Sequence, residues 1–281
     1  MAIQRRSIDK VGSGARYAVL VLGALLFLVP FYLLLRNGLS TEADITSPDW
    51  KLFPSQLQWG NLGELFSDAA VPMTRSLLNS AVIAVTQTVL VLAVSGMAGY
   101  GLARIPYRWS TVVLYSVVAT LLIPAAVTFV PSFVLVSTLG WISTLRGLIV
   151  PGLFQAFATF LFRQYFLGFP QEIEDAARID GLGYFGTFWR VVVPNSLGFV
   201  AAIGTITFIG SWNAFLWPLV IGQDQSSWTV QIALSTFLTA QTSNLHQLFV
   251  AAAVSILPLV VMFVFLQRWI VEGVERSGIN E

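Results

Sequence analysis

Residues 17–35 read YAVLVLGALLFLVPFYLLL, an uncharged run held between Arg16 and Arg36. A helix crossing about 30 Å of hydrocarbon needs roughly 20 mostly apolar residues, so this run is long enough to span a bilayer. It follows a basic tail, as a signal peptide would, but it is longer than the usual signal core and arginine follows it, so it reads as a retained helix. The same ruler finds five more spans. The second runs from Ser76 to Leu102, bounded by Arg75 and Arg104. The third starts after Arg108 and uses about the first two-thirds of the uncharged run ending at Arg146, with Pro131, Ser137, Thr138 and Gly140 marking its stop. The fourth is Leu148 to Phe166, whose Arg163 can reach the interface. The fifth is Leu197 to Ile221, and the sixth starts at His246 or Leu248 and ends at Leu266.

Composition agrees. Of 281 residues 56% are hydrophobic and 10% charged, against about a quarter charged in a soluble domain. The 15 Lys and Arg nearly cancel the 14 Asp and Glu, and His246 is the single histidine, which leaves no basic face and excludes nucleic acid as a partner. The absence of cysteine removes disulfides, iron–sulfur ligation and cysteine zinc sites. The expected fold is all-α: a polytopic membrane protein with six transmembrane helices. If both termini are cytoplasmic, the inside carries Arg5, Arg6, Lys10, Arg16, Arg104, Arg108, Arg163, Arg178, Arg190, Arg268 and Arg276, and the outside only Arg36, Lys51, Arg75 and Arg146. Eleven against four sets the orientation. The chain then divides into a cytoplasmic N-terminal tail (1–16), the first helix (17–36), an extracytoplasmic connection (37–75), a five-helix core (76–267) containing a cytoplasmic loop (168–194), and a cytoplasmic C-terminal tail (268–281). Trp50, Trp59, Trp109, Trp141, Trp228 and Trp269 fall near span ends and suit interfacial anchoring. Ser95, Gly99 and Ala103 repeat every fourth residue, a stripe that lets another helix approach closely.

Much chemistry is missing. No Gly-Lys-Ser/Thr phosphate cradle, His-Glu-x-x-His zinc helix or G-x-S-x-G elbow occurs, so no catalytic residue and no metal ligand is assigned. Acidic residues avoid the spans, whereas ion-coupled carriers usually place an ionisable group within the membrane. These absences count against the two alternatives, a stand-alone ion-coupled secondary transporter and a polytopic membrane enzyme.

Charge returns in GFPQEIEDAARIDGLGYFGTFWRVVVPNS, residues 168–196. Pro170 suits a helix start, Glu172, Glu174 and Asp175 sit at the positive end of its dipole, and Arg178 lies four residues after Glu174. Ile173, Ala176, Ala177 and Asp180 share one narrow, small-sided face. Gly181 and Gly183 stop the helix. A second amphipathic run with Tyr184, Phe185, Phe188, Trp189 and Val192 on one side reads as an interfacial helix. The alanine face of the first helix suits insertion into a cleft on another protein.

The segment Asp175-Ala176-Ala177-Arg178-Ile179-Asp180-Gly181, with Pro194 thirteen residues after the glycine, resembles the EAA loop of permease subunits from binding-protein-dependent ABC importers. The likeness is to the six-span class serving carbohydrates and glycerol phosphate, the type of the smaller maltose permease subunit. It is supported by Asn79-Ser80, ATFLFRQYF before the loop and WNAFLWPL at 212–219, and it covers roughly 74–281. The family's leading glutamate is Asp175 here. The resemblance implies a bacterial inner-membrane subunit that translocates a carbohydrate or related polyol derivative, holds no cofactor and hydrolyses no ATP. ATP and Mg would act in two partner ATPase subunits; a second homologous permease and an extracytoplasmic solute-binding protein complete the assembly. Glu174, Asp175, Ala176, Ala177, Asp180 and Gly181 would form the ATPase-coupling element. Trp212, Asn213 and Trp217 combine aromatic faces with a hydrogen-bonding amide and are the candidates for the solute pathway.

Overall fold

The computed structural model describes residues 2–239 and 242–277, with side chains described for 16–238 and 244–269. The side chains of Arg5, Arg6, Lys10 and Arg276, and the whole of Glu281, lie outside the described residues. The helices in chain order are α1 (Ala2–Gly38), α2 (Glu42–Thr46), α3 (Gly60–Ser67), α4 (Met73–Arg104), α5 (Ser110–Thr120), α6 (Ala125–Thr138), α7 (Leu145–Ile149), α8 (Ala156–Leu167), α9 (Gln171–Ile179), α10 (Tyr184–Thr187), α11 (Val193–Asn195), α12 (Leu197–Trp212), α13 (Leu216–Ile221), α14 (Val230–Thr236) and α15 (Leu245–Ser277). Two-residue strands pair antiparallel, Leu238 opposite Ser243; the other regular elements among the described residues are helical.

Among the described residues three helices are unbroken and apolar enough to cross a membrane: Arg16–Gly38, Met73–Arg104 and Leu245–Trp269. Three further stretches are bent pairs, and the number of spans reaches six if each pair counts as one. The third, fourth and fifth runs read as single spans are interrupted, at or beside prolines able to bend a membrane helix. Ser110–Thr120 and Ala125–Thr138 meet at 96°, because the ring of Pro124 excludes the carbonyl of Thr120 from a continuing helix. Pro131, expected to mark a stop, lies inside α6. Leu145–Gly152 and Ala156–Leu167 meet at 43° across residues 153–155, just after Pro151. The third pair is Tyr184–Asn195 with Leu197–Trp212, bent by 85°; beyond it Leu197–Trp212 ends before Asn213 and α13 restarts at Leu216, where Pro218 would clash with the carbonyl of Ala214 in a continuous helix.

The chain forms two units. One comprises residues 1–69 and 234–256. In it Gly38 lies where a Cβ would come 3.1 Å from the Val250 backbone nitrogen, and the amide of Asn61 donates to the carbonyls of Gly38 and Ser40 at 2.9 and 3.1 Å. The other comprises 70–233 and 257–281. Here α4 is the central post, packed by α8 and α12. Gly99 lets α8 come close to α4: a Cβ there would lie 2.6 Å from Phe162 Cβ and 2.8 Å from the Arg163 backbone nitrogen. Around it Val91, Tyr100, Ala158, Phe162, Phe166, Phe188 and Val192 form a buried cluster. The stripe read from Ser95, Gly99 and Ala103 is therefore a packing face. α4 ends at Arg104 because Ile105 precedes proline and adopts an extended backbone.

Candidate functional site

α9 begins one residue later than its proline would allow: Pro170 occupies the N-cap and Gln171 opens the helix, with Glu172 and Glu174 in its first turn. Its end is a Schellman motif. The Leu182 N–H donates to the Ala177 carbonyl and the Gly181 N–H to that of Arg178, both at 3.0 Å, while Gly181 takes φ +83°, a conformation open chiefly to glycine.

The helix has two sides. Glu174 and Ala177, 1% and 5% exposed and three residues apart, face the chain's own core. Asp175, Ala176 and Asp180 are exposed, as are Ile173 and Ile179, the latter at 87%. Two expectations change accordingly. Glu174 is not presented outward beside Asp175, and Ala177 does not share the open face of Ala176. Arg178 sits over the Tyr184 ring at 4.7 Å and lies 3.5 Å from Asp175 and 4.0 Å from Glu174.

Glu174 is held by two side chains of α4. Tyr100 donates its hydroxyl to Oε2 at 2.9 Å, and Arg104 Nε lies 2.8 Å from Oε1, a charge contact without hydrogen-bond alignment. Arg104 also donates through Nη2 to the carbonyl of Phe169. Neither Tyr100 nor Arg104 was singled out by the sequence; the signal was the pair of adjacent acids Glu174 and Asp175, which a helix cannot turn the same way.

The run after α9 is not one interfacial helix. Residues 188–192 form a π turn that carries Phe188 and Val192 into the core, at 3% and 0% exposed, and leaves Phe185 and Trp189 outside. The five residues expected on one side are therefore split between two.

The pathway candidates have separate surroundings. Trp212 is buried and stacks on Phe208 at 5.9 Å. Asn213 is exposed at the break after α12, where its Oδ1 accepts from Gln231 at 3.2 Å. Trp217 is half-buried and donates its indole N–H to the Gly147 carbonyl at 3.1 Å. A residue the sequence reading missed, Gln87, donates to the carbonyls of Leu148 and Ile149, each at 3.1 Å, and accepts from the Ser211 hydroxyl at 2.5 Å. Among the described residues no group of three or more His, Asp or Glu could hold a metal ion.

Residues 95–276 match the family model described as binding-protein-dependent transport system inner membrane component. The chain is 34% identical to the arabinooligosaccharides transport system permease protein AraQ of Halalkalibacterium halodurans, covering 88% of this chain and 85% of that protein. It is 30% identical to the sn-glycerol-3-phosphate transport system permease protein UgpE of Yersinia pestis, covering 93% and 95%. A crystal structure of a bacterial ABC transporter involved in the import of the acidic polysaccharide alginate contains a similar fold: TM-score 0.80 and 22% identity over 92% of this chain and 96% of that one.

Proposed function

We propose, from the premise that this chain belongs to the family of binding-protein-dependent transport system inner membrane components, that it is the permease subunit of an ABC importer for a carbohydrate or a related polyol derivative. It is a membrane-embedded transport subunit. Its relatives' names, which cite arabinooligosaccharides and sn-glycerol-3-phosphate, support that solute class. In this reading six spans place both termini in the cytoplasm, and α9 is the coupling helix docked in a cleft of an ATPase subunit. Two such ATPases, using ATP and Mg, drive this permease and a second, homologous one. An extracytoplasmic protein delivers the solute, which passes near Asn213 at the open end of α12. The permease hydrolyses nothing itself; closure of the ATPases shifts the population from inward-open to outward-open.

The observation that carries this reading is the outward side of α9. It is a short helix with small Ala176 between carboxylates and with Ile179 almost fully exposed, which fits a helix-in-groove contact. The test is co-purification. The tagged chain should bring down an ATPase that a loaded binding protein stimulates, and Ala176→Trp should remove that ATPase while leaving membrane insertion intact. Uptake of labelled oligosaccharides and glycerol phosphates in a deletion strain then identifies the solute. ATP-independent uptake, or no nucleotide-hydrolysing partner on the wild-type chain, refutes the reading.

A further inference from the structure

We infer that Arg104 and Glu174 form the joint through which force on α9 reaches α4, so that Glu174 is a positioning residue and not a contact for the ATPase. The inference rests on the coupling role proposed above for α9. A buried carboxylate is expensive unless paired, and Glu174, at 1% exposed, is the buried charge on a helix whose other charged residues are open. Its partners come from the final two turns of the 32-residue helix α4. Arg104 is the last residue of α4, and it holds two points at once: the Glu174 carboxylate and the Phe169 carbonyl on the approach to α9. Tyr100, the second holder, has its ring between Phe166 and Phe188 at centroid distances of 5.7 and 5.2 Å.

An apolar contact would keep α9 near α4 but let it slide. The ion pair between Arg104 and the Glu174 carboxylate, combined with the hydrogen bonds from Arg104 Nη2 to the Phe169 carbonyl and from the Tyr100 hydroxyl to Glu174, also fixes its direction. α9 is thereby attached on its inner side by charge and free on its outer side, where Asp175, Ala176 and Ile179 lie. Motion of the outer side is carried into α4 and, through the close contact at Gly99, into α8.

The test uses the complete transporter reconstituted in liposomes, reading solute transported per ATP hydrolysed for each assembled complex. Arg104→Gln and Glu174→Gln should keep their ATPase subunits bound yet lower this ratio about tenfold, the scale of a typical coupling free energy. Arg104→Lys, which keeps the cation but cannot hold the Glu174 carboxylate and the Phe169 carbonyl together, should fall between wild type and Arg104→Gln. A variant that only folds poorly lowers the yield of complex without moving the ratio. Tyr100→Phe removes one hydroxyl and keeps the ring; it should cut the ratio about two- to threefold, and it decides the matter if the charge variants do not assemble. An unchanged ratio in the assembled variants overturns the joint. So does loss of the ATPase from Glu174→Gln in the manner of Ala176→Trp, because Glu174 would then be a docking contact. Absence of any ATPase from the wild-type chain overturns the coupling reading itself and the joint with it.

Discussion

Gly99→Ala adds one methyl where α4 meets α8. Its carbon would lie 2.6 Å from Phe162 Cβ, 2.8 Å from the Arg163 backbone nitrogen and 3.1 Å from the Phe162 carbonyl carbon, whereas carbon atoms rest about 3.5–4.0 Å apart. Two of these neighbours are backbone and cannot turn aside, so α8 must move away by about 1 Å, which forfeits a quarter to a half of the dispersion energy along that face. Overpacking of this kind costs about 3 kcal/mol, the upper part of its range. Replacing a mid-helix glycine by alanine returns about 1 kcal/mol, leaving a net loss of about 2 kcal/mol. Gly101→Ala is the control on the same helix: its Cβ would meet only Ile105 Cδ1, at 4.0 Å, so the propensity gain of up to ~1 kcal/mol stands alone. Thermal denaturation of the purified complex in detergent, followed by tryptophan fluorescence, should melt Gly99→Ala several degrees below wild type and Gly101→Ala at or above it. Coincident melts for the two variants would show that this contact does not limit stability.

Glu42 caps the start of α15 by accepting from the N–H groups of Leu245 and His246 at 3.3 and 3.4 Å, and it lies 2.9 Å from His246 Nδ1. Burial alone would raise its pKa, but the bonds from His246 and Leu245 outweigh it and hold the carboxyl below its ordinary 4.5. A depressed carboxylate stabilises the fold above its unfolded pKa, and that stabilisation is lost as the pH falls through the folded value. The gap in melting temperature between wild type and Glu42→Gln should therefore be full above pH 4.5 and close on further acidification; a constant gap would count against the cap. Gln87→Leu keeps the side-chain size but strips a partner from Leu148, Ile149 and Ser211, for an expected loss of about 1–2 kcal/mol in the same melts. Trp217→Phe removes the donor to Gly147 and keeps an aromatic ring. It should cost about 1 kcal/mol of stability and leave the KM for uptake unchanged, and a raised KM would put the indole in the solute path.

The positions of the unbroken apolar stretches were legible because an uncharged run of sufficient length has one common use in a bilayer, and the membrane-length parts of α1, α4 and α15, Arg16–Gly38, Met73–Arg104 and Leu245–Trp269, lie close to the runs marked off by Arg16, Arg75, Arg104 and His246. Gly99 was legible for a related reason: small residues four apart matter only where something comes close. The direction of Glu174 was not, because it depends on Arg104, 70 residues away in the chain, and helical spacing alone allowed Ala177 to be grouped with Ala176. Phe188 and Val192 were placed beside Phe185 and Trp189 on α-helical geometry. The π turn over 188–192 changes that periodicity, and no residue type announces it.

The breaks show what composition leaves out. A count of apolar residues treats Leu148 to Phe166 as one span, yet Pro151 has no N–H to offer the Gly147 carbonyl, and Leu153 bonds to Val150 and so leaves Ile149 open. In hydrocarbon those carbonyls need donors from elsewhere. Trp217 donates to Gly147, and Gln87 to Leu148 and Ile149. The clue was present as a mismatch between inventories: a proline inside an apolar run creates acceptors, and an amide or indole in another apolar run is a donor without a local use. Matching the two would have assigned Gln87 and Trp217 to the broken helix. Asn213 differs from both: it is exposed at its own break and, among the described residues, uses its carbonyl oxygen to accept from Gln231, so neither inventory assigns it to the broken helix.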